Sequence, residues 1–201
     1  MPFRPASGAA HGPGTLLALC EASHVSIWDT RAPGVAAVRL AAATPAPLLC
    51  LAAAAAPGGA GACMLATCGT ERTLVVYDAR TSRPLRSVGG LMRKDVTALR
   101  FAPVDSRYIL AASIDYELQC RRWDAEAPRT VVSTAAGGGG GKRGFSLRGE
   151  ARWAGIAMAG DVMAAYCASG ALYASRIESA GDAGEPLATA AAPATARDAD
   201  D

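Results

Sequence analysis

Two arginines each stand two residues after an aspartate, in Trp28-Asp29-Thr30-Arg31 and in Tyr77-Asp78-Ala79-Arg80. A guanidinium presents five donors in a rigid fork, a shape suited to carbonyls and carboxylates on another protein. The same fork can turn back and brace its own segment by pairing with the aspartate or with a neighbouring loop. The residues alone leave recognition and bracing both open.

Other candidates for chemistry are weaker. The run Gly137–Gly141 followed by Lys142 resembles a phosphate-binding loop. Ala136 replaces its first glycine, however, and Arg143 replaces the Ser or Thr that would hold magnesium. His24 has no nucleophilic Ser or Cys in an elbow sequence, so no catalytic triad is read and no enzyme is expected. The six cysteines, at 20, 50, 63, 68, 120 and 167, form no C-x-x-C pair and are not spaced with His11 and His24 as zinc ligands. Most sit in apolar strand-like segments, which reads as buried reduced thiols in the cytoplasm, the nucleus or both. No metal or cofactor is expected. The basic pairs Arg93-Lys94, Arg121-Arg122 and Lys142-Arg143 have no interleaved aromatics and read as solvated surface. With a net charge of only +2, direct nucleic-acid binding is not expected. The N-terminus has no apolar signal core, and the longest apolar run is far short of the ~20 residues a membrane span needs, so neither secretion nor a membrane role is expected.

The arginines must be held by regular elements, and these repeat. Trp28-Asp29, Tyr77-Asp78 and Trp123-Asp124 each close an apolar, β-prone run, and the aromatics are 49 and 46 residues apart. Before each pair comes a strand, a polar turn with Glu21, Thr70 or Asp115 near its start, and a second strand. After each comes a polar turn and a further strand, 129–133 in the third unit. Inner strands precede two units, in "PLLCLAAAA" and "DVTALRFAP". Each unit therefore reads as four short strands, labelled a to d from the inside outward. One such sheet cannot bury both faces alone, so neighbours must stack.

These features resemble the WD-repeat β-propeller family over roughly residues 3–178. The resemblance implies an all-β propeller in which Ser113, Asp115, Trp123 and Asp124 are structural. The family's Gly-His between units is missing throughout. "WDTR" and "YDAR", each ending a 16-residue box (Leu16–Arg31 and Leu65–Arg80), are similar to the motif of cullin-4 ubiquitin ligase substrate receptors. The third repeat departs, with Glu126 in the arginine position. The implied interaction residues are Trp28, Asp29, Arg31, Tyr77, Asp78 and Arg80. The implied partners are an adaptor of the damaged-DNA-binding protein 1 type and an unidentified substrate protein. The alternative is a generic WD-repeat scaffold subunit of a chromatin or RNA-processing complex.

The expected units are 3–43, 46–90, 95–134 and 150–178, with a Gly-rich insertion at 135–149. In the fourth unit Arg176-Ile177 takes the place of the Trp-Asp pair. Residues 179–201 are Ala-, Asp- and Pro-rich and read as a disordered tail. Three units and most of a fourth, with the first strand a clipped at Phe3–Pro5, predict an incomplete ring whose end units expose sheet surface.

Overall fold

A computed structural model of the chain describes residues 16–31, 34, 38–41, 45–55, 63–103, 105–124, 144–180 and 185–190. These form fifteen strands and no helix. The first sheet joins β1 (Leu16–Glu21), β2 (His24–Asp29) and β3 (Val38–Ala41). The second joins β4 (Leu48–Ala55), β5 (Cys63–Gly69), β6 (Leu74–Asp78) and β7 (Arg83–Val88). The third joins β8 (Val96–Phe101), β9 (Tyr108–Ser113), β10 (Glu117–Arg122) and β11 (Gly144–Arg148). The fourth joins β12 (Trp153–Ala159), β13 (Val162–Cys167), β14 (Leu172–Ala180) and β15 (Glu185–Ala190). Every sheet is an antiparallel meander in chain order. The inner strands β4, β8 and β12 lie against one another in succession, and β1 lies against β4.

Side-chain alternation builds the core. In β5 and β6, Leu65, Val75 and Tyr77 join Val25, Ile27 and Leu40 of the first sheet. Their neighbours Met64, Ala66, Leu74 and Val76 point the other way, onto Leu99, Ile109 and Ala111 of the third. The third sheet repeats the division, sending Leu110, Leu118 and Cys120 towards Trp153, Ile156 and Met163 of the fourth. With both faces buried, β6 and β9 read as continuous apolar runs (LVVYD, YILAAS) rather than alternating ones. Three buried clusters thus join the four sheets. Among the described residues none joins the fourth back to the first, and the array is an open propeller segment.

A main-chain joint recurs at each boundary. The turns between strands b and c hold Ala22, Arg72 and Tyr116 in the left-handed region, at φ of 50°, 57° and 71°. The carbonyls of these three residues accept the N–H of Leu48, Leu91 and Gly149, at 2.7, 3.1 and 2.8 Å. Leu91 and Gly149 lie on the linkers to the next sheets, and Leu48 is the first residue of the next sheet's inner strand. Strain at one turn residue therefore aims a carbonyl at the following unit.

The structure corrects the repeat reading at four places. First, the three aromatic–Asp pairs are not all in phase. Gly69 and Ser113 are equivalent, because each lies opposite the first residue of its strand a, Leu48 and Val96. Counted across the b–c pairing, Tyr77 lies opposite Leu65, whereas Arg121 lies opposite the matching Ile109. Trp123-Asp124 therefore stands two residues further along than Tyr77-Asp78. In the fourth sheet Ile177, not Arg176, matches Trp123: each donates its N–H to the carbonyl just before strand b, of Asp161 and Arg107. Second, the outer strand of the third sheet is β11, inside the expected 135–149 insertion. Phe145 earns that place by burying its ring in the core shared with the fourth sheet. The expected strand at 129–133 lies outside the described residues. Third, the fourth sheet has an outer strand, β15, within the expected disordered tail. It supplies main-chain partners to the free edge of β14. Fourth, Arg121-Arg122 is not a solvated pair, as described below. The expected strand a of the first unit, at Phe3–Pro5, also lies outside the described residues.

Candidate protein-interaction surfaces

The meanders place the a–b and c–d turns on one rim, and the b–c turns and inter-sheet linkers on the other. Arg31 and Arg80 both lie on the first rim, but their surroundings differ. Arg31 donates from its main-chain N, Nε and Nη2 to the Asp29 carboxylate, at 3.0, 2.9 and 2.8 Å. Those side-chain and main-chain bonds hold the Asp29 carboxyl down to about 2. Among the described residues Asp78 accepts only the Arg80 main-chain N, at 2.8 Å. The Arg80 guanidinium is exposed and has no partner among the described residues. Bracing thus describes Arg31, and an open fork describes Arg80.

In the third sheet the slip of two residues reverses the pair. Arg122 occupies the position of Asp78, and Asp124 that of Arg80. The bonds Arg122 Nε to Asp124 Oδ1 (2.5 Å) and Nη2 to Oδ2 (3.0 Å) rebuild the ion pair in the opposite order. The Asp105–Arg107 pair, in the a–b turn beside it, completes a cluster of two acids and two bases. Trp123 is buried in the core shared with the second sheet, and its indole N–H donates to the Ser106 carbonyl at 2.8 Å. Ser113 and Asp115 do meet, the hydroxyl donating to the carboxylate, but Trp123 is not part of that contact.

Tyr77 faces the first sheet and its hydroxyl donates to the Ala41 carbonyl at 2.9 Å. Trp28 lies on the opposite face of β2 from Val25 and Ile27. Its indole N–H is buried without a partner among the described residues.

On the second rim, Glu21 accepts from the buried Ser26 hydroxyl and contacts His24 Nε2 at 3.0 Å. The carboxylate sits between hydroxyl and imidazole, so the imidazole is not placed to take the serine proton. Hydrogen bonding by Ser26 is the largest influence holding Glu21 below the ordinary carboxylate range.

The same rim carries an open cleft of about 200 Å³, lined by Gly90–Arg93 and by Glu117, Gln119 and Arg121. Its origin follows from the slip. At the positions where the second sheet has Val75 and Tyr77, the third has Gln119 and Arg121, and no aromatic ring fills the groove. Arg121 is half-buried and donates from Nη1 to the Leu91 carbonyl at 3.0 Å. Burial pulls its guanidinium down from the ordinary value, opposed by the Glu117 charge. Gln119 Nε2 donates to Glu117 Oε1 at 2.7 Å, while Gln119 Oε1 is buried with no partner among the described residues. Arg72 Nη1 bonds the Arg93 carbonyl at 3.0 Å and steadies the loop above. The alternation of β10 (Leu118 and Cys120 apolar, 117, 119 and 121 polar) was the sequence signal for a polar face here. Read as a basic pair, Arg121-Arg122 hides that signal, because the two residues point to opposite faces of the strand.

No family model matches the chain. A stretch of 55 residues is 38% identical to "DDB1- and CUL4-associated factor 13" of Danio rerio, covering 27% of this chain and 12% of that protein. The fold is similar to a chain in a crystal structure of the mitotic checkpoint complex, with a TM-score of 0.63 and 15% identity. That match covers 92% of this chain and 50% of the other, so this chain spans half the length of its structural relative. At such identity the likeness is one of fold alone. The fold is an all-β propeller type.

Proposed function

We propose that the chain is a protein-interaction scaffold of the WD-repeat type, serving as a substrate receptor of a cullin-4 ubiquitin ligase. Among WD-repeat proteins its order of features, with a short third unit and a Phe-x-Pro turn, most resembles WD repeat-containing protein 53. The observation that carries the receptor reading is Arg80: exposed, on a turn, its fork unpaired among the described residues, at the end of a box ending Tyr-Asp-Ala-Arg. Such a fork matches backbone carbonyls or a carboxylate on an adaptor of the damaged-DNA-binding protein 1 type. The 38%-identical stretch shared with a DDB1- and CUL4-associated factor supports the same direction. The bidentate Arg31–Asp29 pair favours the second reading, a generic scaffold subunit in which these arginines brace their own sheets.

Affinity purification of the tagged chain, followed by mass spectrometry, separates the two. A receptor brings down adaptor and cullin together. Arg80→Glu then abolishes adaptor recovery while circular dichroism and melting stay unchanged, because charge reversal on an exposed turn shifts stability by under about 0.5 kcal/mol. Recovery of adaptor by a well-folded Arg80→Glu protein would sink the receptor mechanism.

A further inference from the structure

We propose that the cleft between the second and third sheets binds an extended acidic segment of a partner protein. The inference rests on the scaffold reading above and names the kind of chain it would take on the rim opposite Arg80.

Four observations converge. The side chains of Glu117, Gln119 and Arg121 stand at alternate positions of β10 and line one wall in a row. Gln119 is only 7% exposed, and its Oε1 has no donor among the described residues. Its amide is oriented by the 2.7 Å bond from Nε2 to Glu117, since turning it over would set its oxygen against a carboxylate. An acceptor so buried calls for an N–H, which a peptide backbone supplies.

The charge of the wall selects an acid. Glu117 Oε1 is already occupied by Gln119 and by the Ser146 hydroxyl at 3.4 Å. Arg121 has one donor on the Leu91 carbonyl and keeps the rest of its fork, and Arg93 stands exposed at the mouth. A half-desolvated guanidinium beside an exposed one favours a carboxylate. Size argues for a chain segment. About 200 Å³ is below the ~300–1,000 Å³ of sites for small molecules, and an open cleft accepts one side chain with its flanking peptides.

Panning a phage-displayed library of random heptapeptides on the full chain tests this. The expected outcome is enrichment of peptides bearing Asp or Glu, whose synthetic forms lose affinity about tenfold or more on Gln119→Leu or Arg121→Leu. Circular dichroism checks both variants. Gln119→Leu removes a buried unpaired oxygen and should fold even if Arg121→Leu does not. Absence of enriched peptides, enrichment of peptides without acids, or equal binding to the Gln119→Leu protein would each overturn the proposal. Arg80→Glu should leave peptide binding intact. Adaptor recovery without peptide binding therefore removes the cleft alone, and peptide binding without adaptor recovery removes the receptor reading alone.

Discussion

The indole N–H of Trp153 donates to the carbonyl of Tyr116 across 2.9 Å, tying the inner strand of the fourth sheet to the b–c turn of the third. The same carbonyl accepts the Gly149 N–H at 2.8 Å, and Trp153 packs edge-on against Tyr173 at 5.1 Å. One turn oxygen thus anchors a linker and a buried ring together. Trp153→Phe keeps an aromatic and loses the donor, so it should cost about 1 kcal/mol in chemical denaturation. Trp153→Ala should cost about 3–5 kcal/mol. A Trp153→Phe variant as stable as the parent would show that the hydrogen bond contributes nothing beyond packing.

Ala22 is exposed and held at φ 50°. A Cβ there costs roughly 1 kcal/mol, which glycine avoids. Ala22→Gly should raise the melting temperature by about 2–4 °C in a chain of this size. A lower melting temperature would mean that the turn is not left-handed in solution.

Gly69 makes the opposite demand. A Cβ on it would meet the Pro47 carbonyl oxygen at 2.0 Å and the Leu48 Cα at 2.9 Å, both main-chain atoms. The Pro47 carbonyl also accepts the Thr70 N–H at 3.2 Å, so the two segments cannot separate freely. Gly69→Ala should cost about 3 kcal/mol, at the upper end for overpacking. A variant melting like the parent would place Pro47 elsewhere.

The all-β architecture and the order of short strands were legible in apolar runs punctuated by polar turns. The two-residue slip of Trp123-Asp124 was not. A Trp-Asp pair looks the same in either register, and only the pairing of Leu118 with Ala112 and of Arg122 with Tyr108 reveals it. Composition also misjudged β15: Pro, Ala and Thr suggest disorder, but strand pairing depends on a free neighbouring edge, which lies in β14. Asp29 and Arg31 were seen as a motif, yet whether a fork points outward or back at its own aspartate is a rotamer choice that spacing cannot express.

The Arg31–Asp29 pair has a pH signature. The folded carboxyl sits at about 2, below its ordinary value of about 3.9. Because the shift is downward, the stability the pair contributes is present above about pH 4 and is lost as pH falls towards 2. A carbon-detected NMR titration should place the Asp29 midpoint near 2, and Arg31→Leu should move it back up. A midpoint near 4 in the parent would show that the pair is open in solution, which would return Arg31 to the same standing as Arg80.

The joint between neighbouring sheets has an evolutionary consequence. Its acceptor and donor are both main-chain atoms, and the turn residue supplying the acceptor is an alanine, an arginine and a tyrosine in turn. Selection therefore acts there on a backbone shape and not on a letter. A duplicated unit arrives with a working connector at each end, and its side chains are free to differ, as Ala22, Arg72 and Tyr116 differ here. Lineages of such units should lose recognisable motifs long before they lose the ability to stack, and the surfaces between them, like the groove left by the displaced Trp123, become raw material for new specificity.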